Sequence, residues 1–219
     1  ENWPRCIQLA WQLHDQWGVL LEQKDYLVKP EDFDIPFDAE KIHGISTELA
    51  LEQGHDLSYV LEEFDKALKQ SQFLVGQNVK FDINIVGCEL HRKQVVTNFL
   101  KLDVLDTCTE KTAKLCQIPG GRGGKFKLPT LTELHHFLFG QAFAEAHNAS
   151  ADVEATTKCF FELVRLNNFS QQELHAEPTY LTEYQKINPT QIGSYGISHL
   201  NLKDASDKIK ARNKKSEGV

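Results

Sequence analysis

Three side chains in this sequence have types and positions suited to chemistry: Asp82 in LVGQNVKFD, and His147 and Asp152 in AHNASADVEATTKCFFELVRL. Carboxylates are hard oxygen donors that suit Mg2+ or Mn2+. A histidine, with an ordinary pKa of about 6.5, takes up or releases a proton around neutral pH. Each residue also has an ordinary reading. Asp82 at a helix start serves as an N-cap, Asp152 in a first turn complements the helix macrodipole, and His147 alone is a surface histidine. Singly, none of the three is specific.

The elements that must position them are legible from periodicity. Residues 6–13 (CIQLAWQL) put Ile7, Leu9, Trp11 and Leu13 on one side and Gln8 and Gln12 on the other, the period of a half-buried strand. DQWG turns the chain, and residues 19–28 read as a second strand, giving an antiparallel hairpin that ends at Pro30. SYVLEEFDKALKQ then sets Val60, Leu61, Phe64 and Leu68 on one helical stripe. QFLVGQN is a short strand ending at Gly76, followed at once by a helical pattern through Ile83, Val86 and Leu90. Asp82 therefore lies just past a strand end, where α/β sheets commonly bind ligands.

Downstream, LDVLDT reads as a strand, TEKTAKLCQ as a helix, and LTELHHFLFG as a helix closed by Gly140. Val153, Thr156, Phe160 and Val164 recur at helical spacing after Asp152. The alternation is that of an α/β domain, expected over residues 1–168. Residues 169–219 are expected to form a C-terminal helix, linker or tether. Within them Ser170 and Glu173 have capping-box spacing, and Lys208, Lys210, Arg212, Lys214 and Lys215 make a solvated basic run. PGGRGGKFKLP, with Arg122, Lys125 and Lys127, reads as a solvated loop. It is not a Walker A loop, because Phe126 follows Lys125.

Composition bounds the function. The chain has 219 residues, 41% of them hydrophobic, enough for one substantial core. A net charge of -7 excludes a bulk nucleic-acid coater and is compatible with a metal-dependent nuclease. Five scattered cysteines argue against a disulfide framework or a zinc site and for a reducing cytoplasm. No apolar run reaches membrane-spanning length, so no membrane partner is expected. The sequence begins at Glu1 and contains no methionine, and the expectation is that its N-terminus is incomplete.

Together the motifs resemble those of the DEDDh (DnaQ-like) 3′-to-5′ exonuclease superfamily. Gly76, Asn78, Phe81 and Asp82 after a short strand look like its second motif, and His147 with Asp152 like its third. KIHGIS at 41–46 resembles the family's loop before its first helix, LDT at 105–107 a strand end, and LPTLTELHHFLFG the helix ahead of the last motif. The subgroup most resembled is the proofreading exonuclease of bacterial DNA polymerase III, or an exonuclease domain attached to such a polymerase. The family's first motif, an Asp-x-Glu on a central strand, is absent from this sequence.

The resemblance implies an RNase H-like mixed β-sheet flanked by helices, lacking here its first strand. It implies two divalent metal ions, Mg2+ or Mn2+, about 4 Å apart, stabilising the attacking and leaving oxygens of phosphodiester hydrolysis. Asp82 and Asp152 take metal roles and His147 the role of proton acceptor; a histidine five residues before the last aspartate marks the DEDDh branch. His43, Gly44 and Ile45 would meet the terminal nucleotide, with Asn78 and Phe81 shaping the pocket, although Phe81 also fits core packing. The implied substrate is a single-stranded DNA 3′ end, and the implied partners are DNA polymerase III subunits or a fused polymerase domain. Two other readings stand beside this one: an RNA-processing exonuclease, and a non-catalytic nucleic-acid- or polymerase-binding module of the same fold.

Overall fold

The computed structural model describes residues 3–141 and 148–189. The hairpin forms as its alternation requires, with β1 (Gln8–His14) antiparallel to β2 (Leu20–Leu27). Asp15 closes the turn between them, its Oδ1 accepting the Trp17 and Val19 amides at 2.8 and 2.9 Å. Two short helices follow, α1 (Phe37–His43) and α2 (Thr47–Gln53), and then α3 (Leu57–Leu68). β3 (Phe73–Gly76) leads directly into α4 (Lys80–Arg92). β4 (Asp103–Asp106) runs parallel to β3, in register from Phe73 opposite Asp103 to Gly76 opposite Asp106. The remaining helices are α5 (Glu110–Cys116), α6 (Leu131–Phe139), α7 (Ala149–Arg165) and α8 (Tyr180–Ile187).

Period-two alternation sorts the strand side chains into two cores. Trp11, Leu9 and Leu74 pack with α3 and α4 through Leu57, Val60, Leu61, Phe64, Val86 and Leu90. On the other side Leu20, Phe73 and Leu105 meet α6 and α7 through Leu134, Leu138, Cys159, Phe160, Leu163 and Val164. The strands thus form a middle layer between helices. The expected single mixed sheet is, among the described residues, two separate two-stranded sheets. No described strand lies between β1 and β3 to carry hydrogen bonds across, yet α7 packs against both.

Two expectations need correction. KIHGIS is not wholly a loop ahead of the first helix, because α1 takes Lys41, Ile42 and His43 into its last turn and α2 begins at Thr47. The capping-box hydrogen bonds of Ser170 and Glu173 form, but they close a turn and no helix follows them directly. After Asn168 the described residues include one helix, α8. There Phe169, Tyr180 and Tyr184 enter the same core as α6 and α7, and the Tyr180 hydroxyl donates to the Gln16 carbonyl at 2.5 Å. The basic run from Lys208 onward lies outside the described residues.

Candidate functional site

β3 has four residues, and the chain must change direction within three more to start α4. Gly76 permits this, since a Cβ there would fall 2.5 Å from Val79 Cγ2. Asn78 completes the turn in the left-handed region at φ 55°. Val79 stands at the N-cap position without any side-chain cap bond, so Asp82 is not the N-cap but the third residue of the helix. At α7 the capping is done by Asn148, whose side chain accepts the Ser150 and Ala151 amides at 3.0 and 3.3 Å. Asp152 occupies the first turn. Capping therefore accounts for neither aspartate.

The two carboxylates lie within electrostatic reach of each other. Loss of hydration raises the Asp82 carboxyl above the ordinary aspartate range. The negative charges of Asp106 and Asp152 push it further the same way, while the Asp82 backbone N–H opposes them. Asp82 keeps an exposed surface, so its carboxyl is open to solvent. Clustered anions of this kind repel one another until a cation or a proton joins them. Among the described residues no group of three His, Cys, Asp or Glu side chains stands ready to hold a metal ion. The donor chemistry of Asp82 and Asp152 still suits Mg2+, which binds through one or two carboxylates and fills its shell with water and phosphate oxygens.

Of the other residues singled out in the sequence, Asn78 and Phe81 lie beside Asp82 along the chain, while His43, Gly44 and Ile45 belong to the end of α1 and the loop after it. Phe81 is 50% exposed, which removes the core-packing reading. The Asn78 amide donates to Asp106 Oδ1 at 2.8 Å. His43 ends α1 and Gly44 caps it in the left-handed region at φ 75°. His43 Nδ1 accepts the Ile45 amide at 3.1 Å, which places the ring proton on Nε2, an atom shielded from water and unpaired among the described residues. Burial lowers the His43 pKa below the usual histidine value, with the Glu40 charge opposing. Ile45 anchors this loop in a small core with Ile35 and Ala50. His147 lies outside the described residues.

Two features bear on nucleic-acid binding and on what the sequence did not reveal. In the glycine-rich loop, Lys125 pairs with Glu110 and Lys127 with Glu133, both at 2.6 Å, as in an ordinary braced loop. Asp106 was legible only as part of a strand end. Its carboxylate accepts the amides of Asn78 and Cys108 on Oδ1 and of Val79 on Oδ2, at 2.8, 2.7 and 3.1 Å. The strand-end position alone hinted at it, because partners 28 residues apart leave no local pattern.

Comparison with known proteins agrees with this layout. No curated protein matches the chain. Among solved structures, Escherichia coli exonuclease I in complex with a dA16 oligonucleotide superposes with a TM-score of 0.59 at 19% identity, covering 81% of this chain and 38% of that one. The same enzyme with a dT13 oligonucleotide gives 0.60 at 20% identity, covering 79% and 39%. A moderately thermophilic exonuclease I from Methylocaldum szegediense gives 0.58 at 21% identity, covering 82% and 38%. The chain thus spans about two fifths of the length of these solved chains and shares their mixed α/β fold, small sheets flanked by helices. The Exonuclease (RNase T) family profile matches residues 14–160. That span holds Asp82, Asp106 and Asp152 together with the strand ends and helix starts that carry them, and this chain belongs to the exonuclease family.

Proposed function

We propose that the chain is a metal-dependent 3′-to-5′ exonuclease acting on a single-stranded DNA 3′ end. The observation that carries the reading is the placing of Asp82 and Asp152 in the first turns of α4 and α7, neither of them the helix's N-cap, within the span matched by the exonuclease family profile. In the reaction, water attacks the terminal phosphodiester, the bond from phosphorus to the 3′ oxygen of the preceding nucleotide breaks, and a mononucleotide leaves. Bound Mg2+ or Mn2+ would offset charge on the phosphoryl and leaving oxygens. Asp82 and Asp152 would hold the cations, and His147 would receive the proton of the attacking water. Phe81, half exposed next to Asp82, offers a ring face to a terminal base.

Single-stranded DNA is favoured over RNA because the structurally similar exonuclease I proteins are seen with dA16 and dT13 oligonucleotides. The proofreading context, with DNA polymerase III subunits as partners in the cytoplasm, rests on the residue pattern of the second and third motifs. A binding module without chemistry has one observation in its favour, the lack of a three-donor group among the described residues.

One assay separates these readings. A 5′-labelled single-stranded DNA, its RNA counterpart and duplexes with a matched and with a mismatched 3′ end are incubated with the protein in Mn2+ and in EDTA. Stepwise shortening of the DNA from its 3′ end is expected, abolished by EDTA and reduced at least about 100-fold by Asp82→Asn or Asp152→Asn. DNA retained in binding assays but never shortened would replace the enzyme with the binding module. Preferential RNA degradation would move the substrate class, and no preference for the mismatched end would remove the proofreading role.

A further inference from the structure

The turn that launches α4 is held by a residue from a different strand. Asp106, at the last position of β4, lies opposite Gly76 in the β3–β4 register. Its Oδ1 accepts the Asn78 amide at 2.8 Å and the Cys108 amide at 2.7 Å, and its Oδ2 accepts the Val79 amide at 3.1 Å. These are hydrogen bonds to an ionisable acceptor, the stronger class. They meet a turn with two special requirements: a left-handed non-glycine residue at Asn78, and a helix start at Val79 without a cap of its own. A backbone in a sparsely populated region persists only where its surroundings hold it.

The neighbouring residue extends the hold. Thr107, fully buried, donates from its amide and its hydroxyl to the Gly76 carbonyl at 2.9 and 3.1 Å, and its hydroxyl also meets the Gln77 side chain. Gln77 Nε2 in turn donates to the Pro129 carbonyl at 2.8 Å. Residues 76–79 are therefore fixed from the β4 side, and Asp82 follows three residues later on a rigid helix turn. The Asp106 charge is felt at Asp82, which places the clamp beside the site.

We propose that Asp106 is a positioning residue: by clamping the 76–79 turn it sets where α4 presents Asp82. This rests on the reading of Asp82 as a member of the active site. No direct contact of Asp106 with substrate is needed, and its carboxylate is already committed to three amides.

The test uses the full chain with Asp106→Ala and Asp106→Asn, and Asp82→Asn alongside as the check on the site itself. Two readouts are taken: amide hydrogen exchange, and kcat and KM on single-stranded DNA. For Asp106→Ala, exchange at Asn78 and Val79 is expected to rise at least about tenfold while core amides such as Leu134 stay protected. Its kcat is expected to fall about 100-fold with KM changed by less than about threefold, the signature of a misplaced group. Asp106→Asn keeps one acceptor oxygen and is expected to recover about tenfold of that loss in kcat. If Asp106→Ala does not fold, Asp106→Asn decides on the same readouts. Unchanged exchange at Asn78 and Val79, or kcat within about twofold of the unsubstituted protein, would overturn the clamp. If the turn loosens but Asp82→Asn remains active, the active-site reading has failed and the positioning role falls with it.

Discussion

Tyr184 sits at the centre of the larger core, its ring against Phe161 and Tyr180 and its hydroxyl without a hydrogen-bond partner among the described residues. Burial raises its pKa, so the phenol stays neutral. A shielded hydroxyl left unpaired costs free energy, whereas the ring that carries it contributes fully to packing. Tyr184→Phe is therefore expected to stabilise the protein by about 1 kcal/mol. Urea unfolding at pH 7 would show a higher midpoint at unchanged m, and a lower midpoint would reveal a partner for the hydroxyl. Asp82 is the counterpart at the proposed site, a carboxyl pushed up by lost hydration and by its neighbours. Chemistry-bearing residues were legible as types at helix starts. That Asp82 and Asp152 would act together was implied only by the family resemblance, and Asp106 beside them was not legible, because the Asp82–Asp106–Asp152 grouping joins three elements far apart in sequence. Asp106 looked like any strand end until its three amide partners were seen.

At the scale of elements, the turn after α7 is tied to α5 through Glu173. Its carboxylate accepts the Ser170 amide and hydroxyl and pairs with Lys111 Nζ at 2.6 Å. The Lys111 hydrogen bond, joined by the Ser170 amide, holds the Glu173 carboxyl at about 2, down from 4.5. A lowered carboxyl pKa stabilises the native state above the ordinary glutamate range, and that contribution fades as pH falls from there towards about 2. Glu173 is 41% exposed, so solvent screening limits the effect. Glu173→Gln is expected to cost roughly 0.5–1 kcal/mol at pH 7 and close to nothing near pH 2. Parallel unfolding curves for the two proteins across that range check it; a constant gap would exclude an ionic origin. The bonds of this brace were visible as capping-box spacing, but the helix expected to follow was not there. The opposite happened at α1, α2 and α8. α1 buries no side chain and so shows no stripe, α2 buries only Ala50, and α8 fully buries only Tyr180 and Tyr184. The hairpin, β3, β4 and α3 to α7 were legible because each presents a continuous apolar face to one of the two cores.

Across the whole molecule, stability and chemistry have different sources. Two apolar cores, one on each side of the strands, hold the body together. Fully buried Glu89 adds a tie on the α4 side, pairing with Arg5 at 2.8 Å and Arg92 at 3.1 Å and accepting the Cys6 amide at 3.0 Å. None of these contacts involves Asp82 or Asp152. The anionic site is thus an addition to a fold that does not need it, and cation binding should appear as extra stability rather than as a condition for folding. A ligand that binds only the native state stabilises it according to its excess over Kd, about 1.4 kcal/mol at ten times Kd. In a domain of this size that corresponds to a rise in Tm of roughly 3–5 °C. Thermal unfolding in EDTA is expected to give the baseline Tm, and Mn2+ titration a rise of that order at ten times Kd that goes on growing with the logarithm of the Mn2+ concentration. Asp82→Asn and Asp152→Asn should each abolish most of the rise, and Asp82→Asn should begin from a higher baseline at pH 7. The sign follows from the raised Asp82 carboxyl: its charged form opposes folding once pH exceeds the ordinary aspartate range, and a neutral amide removes that opposition. A Tm indifferent to Mn2+, or a rise that survives in both variants, would mean that the paired carboxylates are not where the cation binds.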